Sequence, residues 1–388
     1  MSGPQNIAIA NIEIVLNPIE SSKGLPNSHY ISNEVYGEEK QAIMFNNWAG
    51  VEFGKNVPEP GDVKPIDFMG IPLLIIRDQD GSIGVFQNTC RHRGMRLVNQ
   101  PTRIRGVISC PYHAWCYSIK GELRGTPHVG GPGKMTHDAI NKDQLGLFRF
   151  RSYVWKDIIF VNISDTAPEF EDYAAKLIER WQEFEQPVFH GGEHASITID
   201  VNSNWKLAVE NYSESYHLPW IHPGLNSYSR IEDHYNIVET EFGGQGTNVY
   251  QQYINQNGIK FPDFKNLSEK WNKSAEYITI FPNVMLGIHR DHFYAILLEP
   301  LDVENTRERV EIYYAEDLSE KEEYQSAIKS NTERWKLVFE EDIFVVEGMQ
   351  KSRHGPLFDG GVFSPVLDNA THGFHQWVAK LVQDNRSI

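Results

Sequence analysis

Two short stretches, Cys90-Arg91-His92-Arg93-Gly94 and Cys110-Pro111-Tyr112-His113, constrain this chain more than any other feature. Each offers one thiol and one imidazole, and seventeen residues separate His92 from Cys110. A fold that brings these loops side by side presents two sulfurs and two ring nitrogens to an inorganic centre. One centre that takes this set is a [2Fe-2S] cluster with two cysteines on one iron and two histidines on the other. Zinc accepts the same four donors. Zinc fingers, however, group Cys with Cys and His with His, whereas here each loop carries one of each. Gly94 and Pro111 suit tight loops, and Trp115 and Tyr117 stand where they can shield a cluster from water.

With Cys90 and Cys110 used as ligands, Cys116 is the one cysteine left, so an intramolecular disulfide would have to sacrifice the centre. A reducing compartment suits such a chain, and Cys116 reads as a small packing residue. At 388 residues the chain is long enough for two sizeable cores. The net charge of -16 argues against nucleic acid or an anionic membrane surface as partner. No apolar run approaches the length of a membrane span, and Met1-Ser2-Gly3-Pro4 lacks the basic and apolar regions of a signal peptide. A cytoplasmic location is expected.

Residues before about Asn27, with one apolar run from Ile7 to Leu16, are expected to wrap over the surface. Ser32 can cap a helix running to about Trp48. Short strands follow: Ile71 to Ile76 and Ile83 to Phe86 around Gln79-Asp80-Gly81, and Tyr117 to Ile119 and Glu122 to Arg124 around Lys120-Gly121. Val107 to Ser109 leads into the second ligand loop, and Tyr153 to Trp155 pairs with Ile158 to Ile163 around Lys156-Asp157. These strands predict a small antiparallel-β domain over 45–163 with the ligand loops at one end, preceded by an N-terminal extension and helix over 1–44. Phe170 to Phe184 reads as one helix with Tyr173, Leu177, Trp181 and Phe184 on its core face. Strands at Ser196 to Val201, Tyr277 to Phe281, Val284 to Ile288, Phe293 to Leu298 and Val310 to Tyr314, then a long helix from about Ser319 to Met349, predict an antiparallel sheet packed on helices over 164–388. The fold class is therefore α+β.

The second part carries its own candidate centre. The run Asn204 to His217 reads as a helix capped by Asn204, with Pro219 opposing its continuation. Glu214 and His217 then share a face, and a break near Pro219 can return His222 to the same point. In the long helix, Trp335, Val338, Asp342, Val345 and Met349 follow helical spacing, so Asp342 interrupts an apolar stripe. A buried carboxylate is costly unless paired or bound to a cation; a salt bridge to Arg or Lys is the alternative explanation. Glu340 and Glu341 read as solvated or helix-edge charges. His217, His222 and Asp342 together make a two-histidine, one-carboxylate triad, the ligand set of non-haem Fe(II) oxygenases.

On these residues the chain resembles the oxygenase (alpha) components of Rieske non-haem iron oxygenases. Cys-x-His-Arg-Gly with Cys-Pro-Tyr-His-x-Trp is similar to the Rieske signature, and Glu214, His217 and His222 match the family's acid-x-x-His-x4-His. The later carboxylate ligand lies in an acidic helical segment, matched by Glu341-Asp342. The resemblance implies a Rieske [2Fe-2S] cluster, a mononuclear Fe(II), a separate NAD(P)H-dependent reductase, and in some members a ferredoxin. It also implies a head-to-tail homotrimer in which the acid at 214 links the iron to the cluster of a neighbouring subunit. Electrons then travel by way of His92 or His113 and Glu214. Most members place Asp where this chain has Glu214, which is similar to the oxygenases of carnitine and glycine betaine. Together with Tyr212, Tyr216 and Trp220, Glu214 motivates a quaternary or methylated amine as substrate, hydroxylated or oxidatively demethylated; rings that only pack a core are the alternative explanation. An aromatic-ring dioxygenase and, in a different class, a Rieske-type electron carrier are the alternatives. No Gly-rich dinucleotide fingerprint lies between a strand and a helix, so the reductant comes from outside the chain.

Overall fold

The computed structural model describes residues 12–358 and 360–387. They form two compact units, one over 50–166 and one that combines the remaining N-terminal residues with everything from Ala167 onward.

The unit over 50–166 is built from hairpins. Its seven-stranded sheet runs in the order Ala49–Phe53, Ile158–Asn162, Arg149–Trp155, Ile83–Gln87, Ile71–Arg77, Asp62–Phe68, Thr102–Arg103, with antiparallel pairing from the second strand through the last. The expected turn at Lys156-Asp157 closes a hairpin in which both residues have positive φ, +47 and +65, as a two-residue turn matched to strand twist requires. Asp62–Phe68 is a strand that the sequence pattern does not announce. Its exposed and half-buried residues hide the alternation by which a strand is recognised. A three-stranded sheet of Ile108–Ser109, Cys116–Tyr117 and Leu123–Gly125 carries the second ligand loop. Cys90 and Cys110 sit inside the unit's core, against Leu74, Phe86, Ile108, Trp115 and Leu123.

The other unit is an eight-stranded antiparallel sheet with helices. Along the sheet run Phe189–His190, Thr306–Tyr314, His292–Pro300, Val284–Ile288, Ala275–Ile280, Phe242–Thr247 and His234–Val238, and Ser196–Val201 pairs with Thr306–Tyr314. Four helices carry or support the candidate centre: α1 (Trp205–Tyr212), α2 (Leu218–Ile221), α3 (Glu322–Ser352) and α4 (Asn369–Arg386). Helix α1 packs on Ala275–Ile280 and His292–Pro300, and against both α3 and α4. Its residues Trp205 to Asn211 are all buried. The polar ones are satisfied in place: Lys206 Nζ lies 2.5 Å from Glu39 Oε2, and Glu210 Oε1 accepts from Tyr30 at 2.5 Å. Glu39 also holds His29 at 2.8 Å. Helix α1 is thereby locked in register by charges that have no water to retreat to.

Several local expectations differ from the structure. Residues before Asn27 do not simply wrap the surface: Ile12, Val15 and Leu25 are buried, and the turn Ile12–Leu16 packs on α4. The start of that run at Ile7 lies outside the described residues. Ser32 does cap a helix, but it runs Asn33–Glu39 and passes into a π-helical segment Lys40–Phe45, ending before Trp48. Phe170 to Phe184 is broken into Phe170–Tyr173, Ala175–Arg180 and a 3-10 turn, with Tyr173, Leu177, Trp181 and Phe184 all buried as expected. The strand Phe242–Thr247 (FGGQGT) is masked in the sequence because glycine disfavours strands; here the glycine is forced by packing, since a Cβ on Gly246 would lie 2.3 Å from the ring of Tyr235.

Candidate functional site

The two cysteine-histidine loops have the same backbone. In the first, Cys90 N donates to Met95 O at 2.8 Å and Gly94 N to Cys90 O at 3.0 Å. In the second, Cys110 N donates to Trp115 O at 2.7 Å and Ala114 N to Cys110 O at 3.0 Å. Each turn needs a left-handed residue at the same position, supplied by Gly94 (φ +74) and Ala114 (φ +55). The consequence is a sorting of donors. Both thiols point inward at 2% and 4% exposure, while His92 and His113 stand at the exposed tip with ring centroids 4.8 Å apart. Trp115 stacks on His92 at 4.7 Å, and the Tyr117 hydroxyl reaches Cys90 Sγ at 3.3 Å and accepts from Arg91 N at 2.9 Å. Burial, with the neighbouring Cys110 thiol, pushes the Cys90 thiol up.

This sorting suits a two-iron cluster better than zinc. Tetrahedral zinc, with bonds of about 2.0–2.3 Å, requires all four donors within about 4 Å of one another. Among the described residues, only His217, His222 and Asp342 gather three ligand atoms within 4.8 Å. A thiol pair set below an imidazole pair is instead what a cluster with one iron on sulfur and one on nitrogen needs.

The second centre forms where α1 ends. The helix stops at Tyr212, where Ser213 Oγ donates back to Val209 O at 2.7 Å, so the expected continuation to His217 does not occur. Glu214 lies in the turn beyond. Its carboxylate accepts from the backbone amides of Tyr216 and His217, and from His217 Nδ1 at 2.7 Å. His217 then caps α2, with Pro219 in its first turn, where a missing N–H costs nothing. His222 closes α2, and the two imidazoles face each other with centroids 5.1 Å apart. From α3, Asp342 Oδ1 lies 3.1 Å from His222 Nε2 and 3.7 Å from His217 Nε2. Bonds of about 2.1 Å to one metal at right angles place ligand atoms about 3.0 Å apart, so the three converge as a facial triad does.

Both histidines are oriented from behind by acids. Glu214 holds Nδ1 of His217, and Glu341 Oε2 holds Nδ1 of His222 at 2.7 Å. Each fixes the proton on Nδ1 and leaves the Nε2 lone pair free to bind a metal. The reading of Glu341 as a solvated charge is therefore corrected: only Glu340 behaves so, paired loosely with Lys336 at 3.6 Å. Burial pulls the His222 pKa down, but the Asp342 and Glu341 carboxylates outweigh it and hold it above its ordinary value. Asn211, which no sequence pattern marks, donates to Asp342 Oδ1 at 3.3 Å from the last turn of α1.

In front of the triad lies a cleft of about 720 Å³, including its mouth. Tyr212, Tyr228, Tyr250, Tyr277, Tyr294 and Trp335 form much of its wall. Tyr216 and Trp220, expected beside the metal, are outside it: they are 43% and 70% exposed and pack on each other at 5.8 Å.

Residues 47–140 match the Rieske [2Fe-2S] domain, and residues 190–384 match the catalytic domain of the ring-hydroxylating alpha subunit. The chain belongs to the ring-hydroxylating alpha-subunit family. As a Rieske-type oxygenase component it carries a [2Fe-2S] cluster and a mononuclear iron, and uses O2 with electrons from a separate reductase. Among relatives, the carnitine monooxygenase oxygenase subunit of Acinetobacter pittii is 25% identical over 334 residues, 84% of each chain. Putrescine 2-hydroxylase of Ralstonia nicotianae is 25% identical over 394 residues, 96% of this chain and all of that one. The fold is similar to a quaternary ammonium Rieske monooxygenase solved with L-carnitine (TM-score 0.75, 23% identity, 96% of this chain and 98% of that one). It is also similar to naphthalene 1,2-dioxygenase from Rhodococcus sp. (TM-score 0.75, 18% identity, 97% and 98%). Among the described residues no helix is long and apolar enough to cross a membrane.

Proposed function

We propose that this oxygenase component oxidises a methylated or quaternary amine, with Cys90, His92, Cys110 and His113 as cluster ligands and His217, His222 and Asp342 as iron ligands. The observation that carries the reading is the cleft: the triad opens onto walls of tyrosine and tryptophan rings, whose faces attract a cation that has left water. The named relatives that act on carnitine and putrescine act on amines. The metal centres supply electrons and O2 activation when loaded.

The chain's own residues bind and position. Glu214 and Glu341 keep Nδ1 of each histidine protonated, so that Nε2 stays available. The Tyr212 hydroxyl is tied to Leu286 O at 2.8 Å and Tyr294 at 3.2 Å, which holds its ring as a wall and limits water beside the reacting methyl group. One oxygen atom enters a methyl C–H bond while two electrons and two protons reduce the other to water. From a quaternary ammonium substrate, the N-hydroxymethyl product then loses formaldehyde and a proton to leave the tertiary amine.

The same proposal places a Rieske domain over 45–163, an iron domain over 164–388 and an N-terminal extension over 1–44. It includes a homotrimer in which Glu214 links one subunit's iron site to the next subunit's cluster, a ferredoxin or direct reductase contact, and a cytoplasmic location. The test is reconstitution with a reductase and a panel of amines and aromatic acids. Substrate-dependent formaldehyde release from a trimethylammonium compound supports the reading, and cis-diol formation from an arene refutes it.

A further inference from the structure

We propose that Arg334 anchors a carboxylate at the end of the cleft away from the triad, so that the substrate is a zwitterionic amine and not a simple cation. This rests on the amine-oxidation reading above and narrows it to one class of amine.

Arg334, Val338 and Asp342 recur every four residues on α3 and all line the cleft. Eight residues of helix separate the backbone of Arg334 from that of Asp342 by about 12 Å. Arg334 is half-buried. Its side-chain contacts are a hydrogen bond from Nη2 to Asn331 Oδ1 at 3.1 Å and stacking over Tyr253 and Trp335 at 4.9 and 5.0 Å. Elsewhere in the same unit Arg180, Arg290, Arg307 and Arg353 each face a carboxylate. Arg334 pairs with none among the described residues. The buried Asp291 feels its charge, but Oδ1 of Asp291 is engaged by His292 Nδ1 at 2.8 Å and Tyr250 at 2.7 Å, and the two side chains form no ion pair.

A cation in an aromatic cleft with no carboxylate paired to its fork leaves that fork open to an anion. The tyrosine walls between Arg334 and Asp342 suit an ammonium group, and the guanidinium fork suits the two oxygens of a carboxylate. A molecule carrying both groups satisfies the whole cleft. A diamine or an amino alcohol leaves Arg334 unpaired.

The test compares ω-trimethylammonio carboxylates of increasing chain length with their primary amides, using the iron-loaded protein. Binding is read by calorimetry, turnover by formaldehyde release. The best carboxylate is expected to bind about tenfold or more tightly than its amide. Arg334→Leu should abolish that preference, acting mainly on KM, and Arg334→Lys should restore part of it. A merely structural role for Arg334 would weaken both ligands alike. Equal binding of carboxylate and amide by the wild type overturns the anchor without needing any variant to fold, and so does a preference that survives in Arg334→Leu. Benzoate binding that depends on Arg334, with no trimethylammonium compound turned over, keeps the anchor and removes the amine reading.

Discussion

Replacing Glu341 by Gln tests whether an acid on α3 sets the metal affinity of a histidine it does not share a chain segment with. Glu341 Oε2 is 2.7 Å from Nδ1 of His222, whose side chain is 3% exposed. The carboxylate accepts only, so it commits Nδ1 to carry the proton and Nε2 to face Asp342 at 3.1 Å. An amide of the same size keeps one acceptor, loses the charge, and can turn its NH2 towards Nδ1, which favours the wrong tautomer. Loss of such a supporting partner weakens metal binding by about 10- to 100-fold, equivalent to about 1.4–2.8 kcal/mol. The neighbouring Glu340→Gln is the control, because its pair with Lys336 at 3.6 Å is half exposed on both sides and is worth at most about 1 kcal/mol. Competition for Fe(II) with a chelator of known affinity reads the mononuclear site, and the visible absorption of the cluster reports that the other unit is intact. Glu341→Gln that holds Fe(II) as tightly as wild type, or Glu340→Gln that loses it equally, would refute the assignment.

Three further outcomes are expected. His92→Ala removes the cluster absorption, whereas Asp342→Ala keeps it but loses the mononuclear iron and turnover; iron analysis with absorption distinguishes them, and turnover retained in Asp342→Ala excludes it as a ligand. Tyr117→Phe deletes the hydroxyl 3.3 Å from Cys90 Sγ, and losing a hydrogen bond worth about 1 kcal/mol that favours the more negative, reduced cluster lowers the potential by about 40 mV; an unchanged potential in protein-film voltammetry counts against that bond. Glu276 is fully buried and takes bonds from Arg180 at 2.8 Å, Trp181 at 2.7 Å and Tyr235 at 2.9 Å. Burial raises its pKa, but the Arg180 guanidinium and its other partners outweigh that and bring it below 4.5. Its contribution is complete above that ordinary value and is lost as pH falls through the depressed one. Glu276→Gln should therefore cost about 3 kcal/mol near neutrality and progressively less in acid. A pH-independent gap in urea denaturation would contradict this.

What the sequence determined by itself is what adjacent residues settle among themselves. The donors Cys90, His92, Cys110 and His113 lie in turns closed by local hydrogen bonds, with Gly94 already marking the left-handed position. The hairpin at Lys156-Asp157 and the cap of α1 by Asn204, which accepts from Lys206 N at 3.1 Å, are equally short-range. The α+β class follows from the same local patterns. Tertiary structure decided the rest, because a helical pattern gives a stripe but not the rotation that aims it. Trp335 and Phe339 seat α3 against Tyr294, with ring centroids at 4.7 and 5.3 Å. That seating turns Asp342 towards His217 and His222, Glu341 towards His222, and Arg334 into the cleft, while Glu340 is left towards water. The early end of α1 at Tyr212, the exposure of Tyr216 and Trp220, and the glycine-rich strand against Tyr235 are likewise marked by no hydrophobic period in the sequence. No pattern of neighbouring residues records which distant surface a side chain will meet, and that meeting is what separates an acid that holds a histidine from the solvated one beside it.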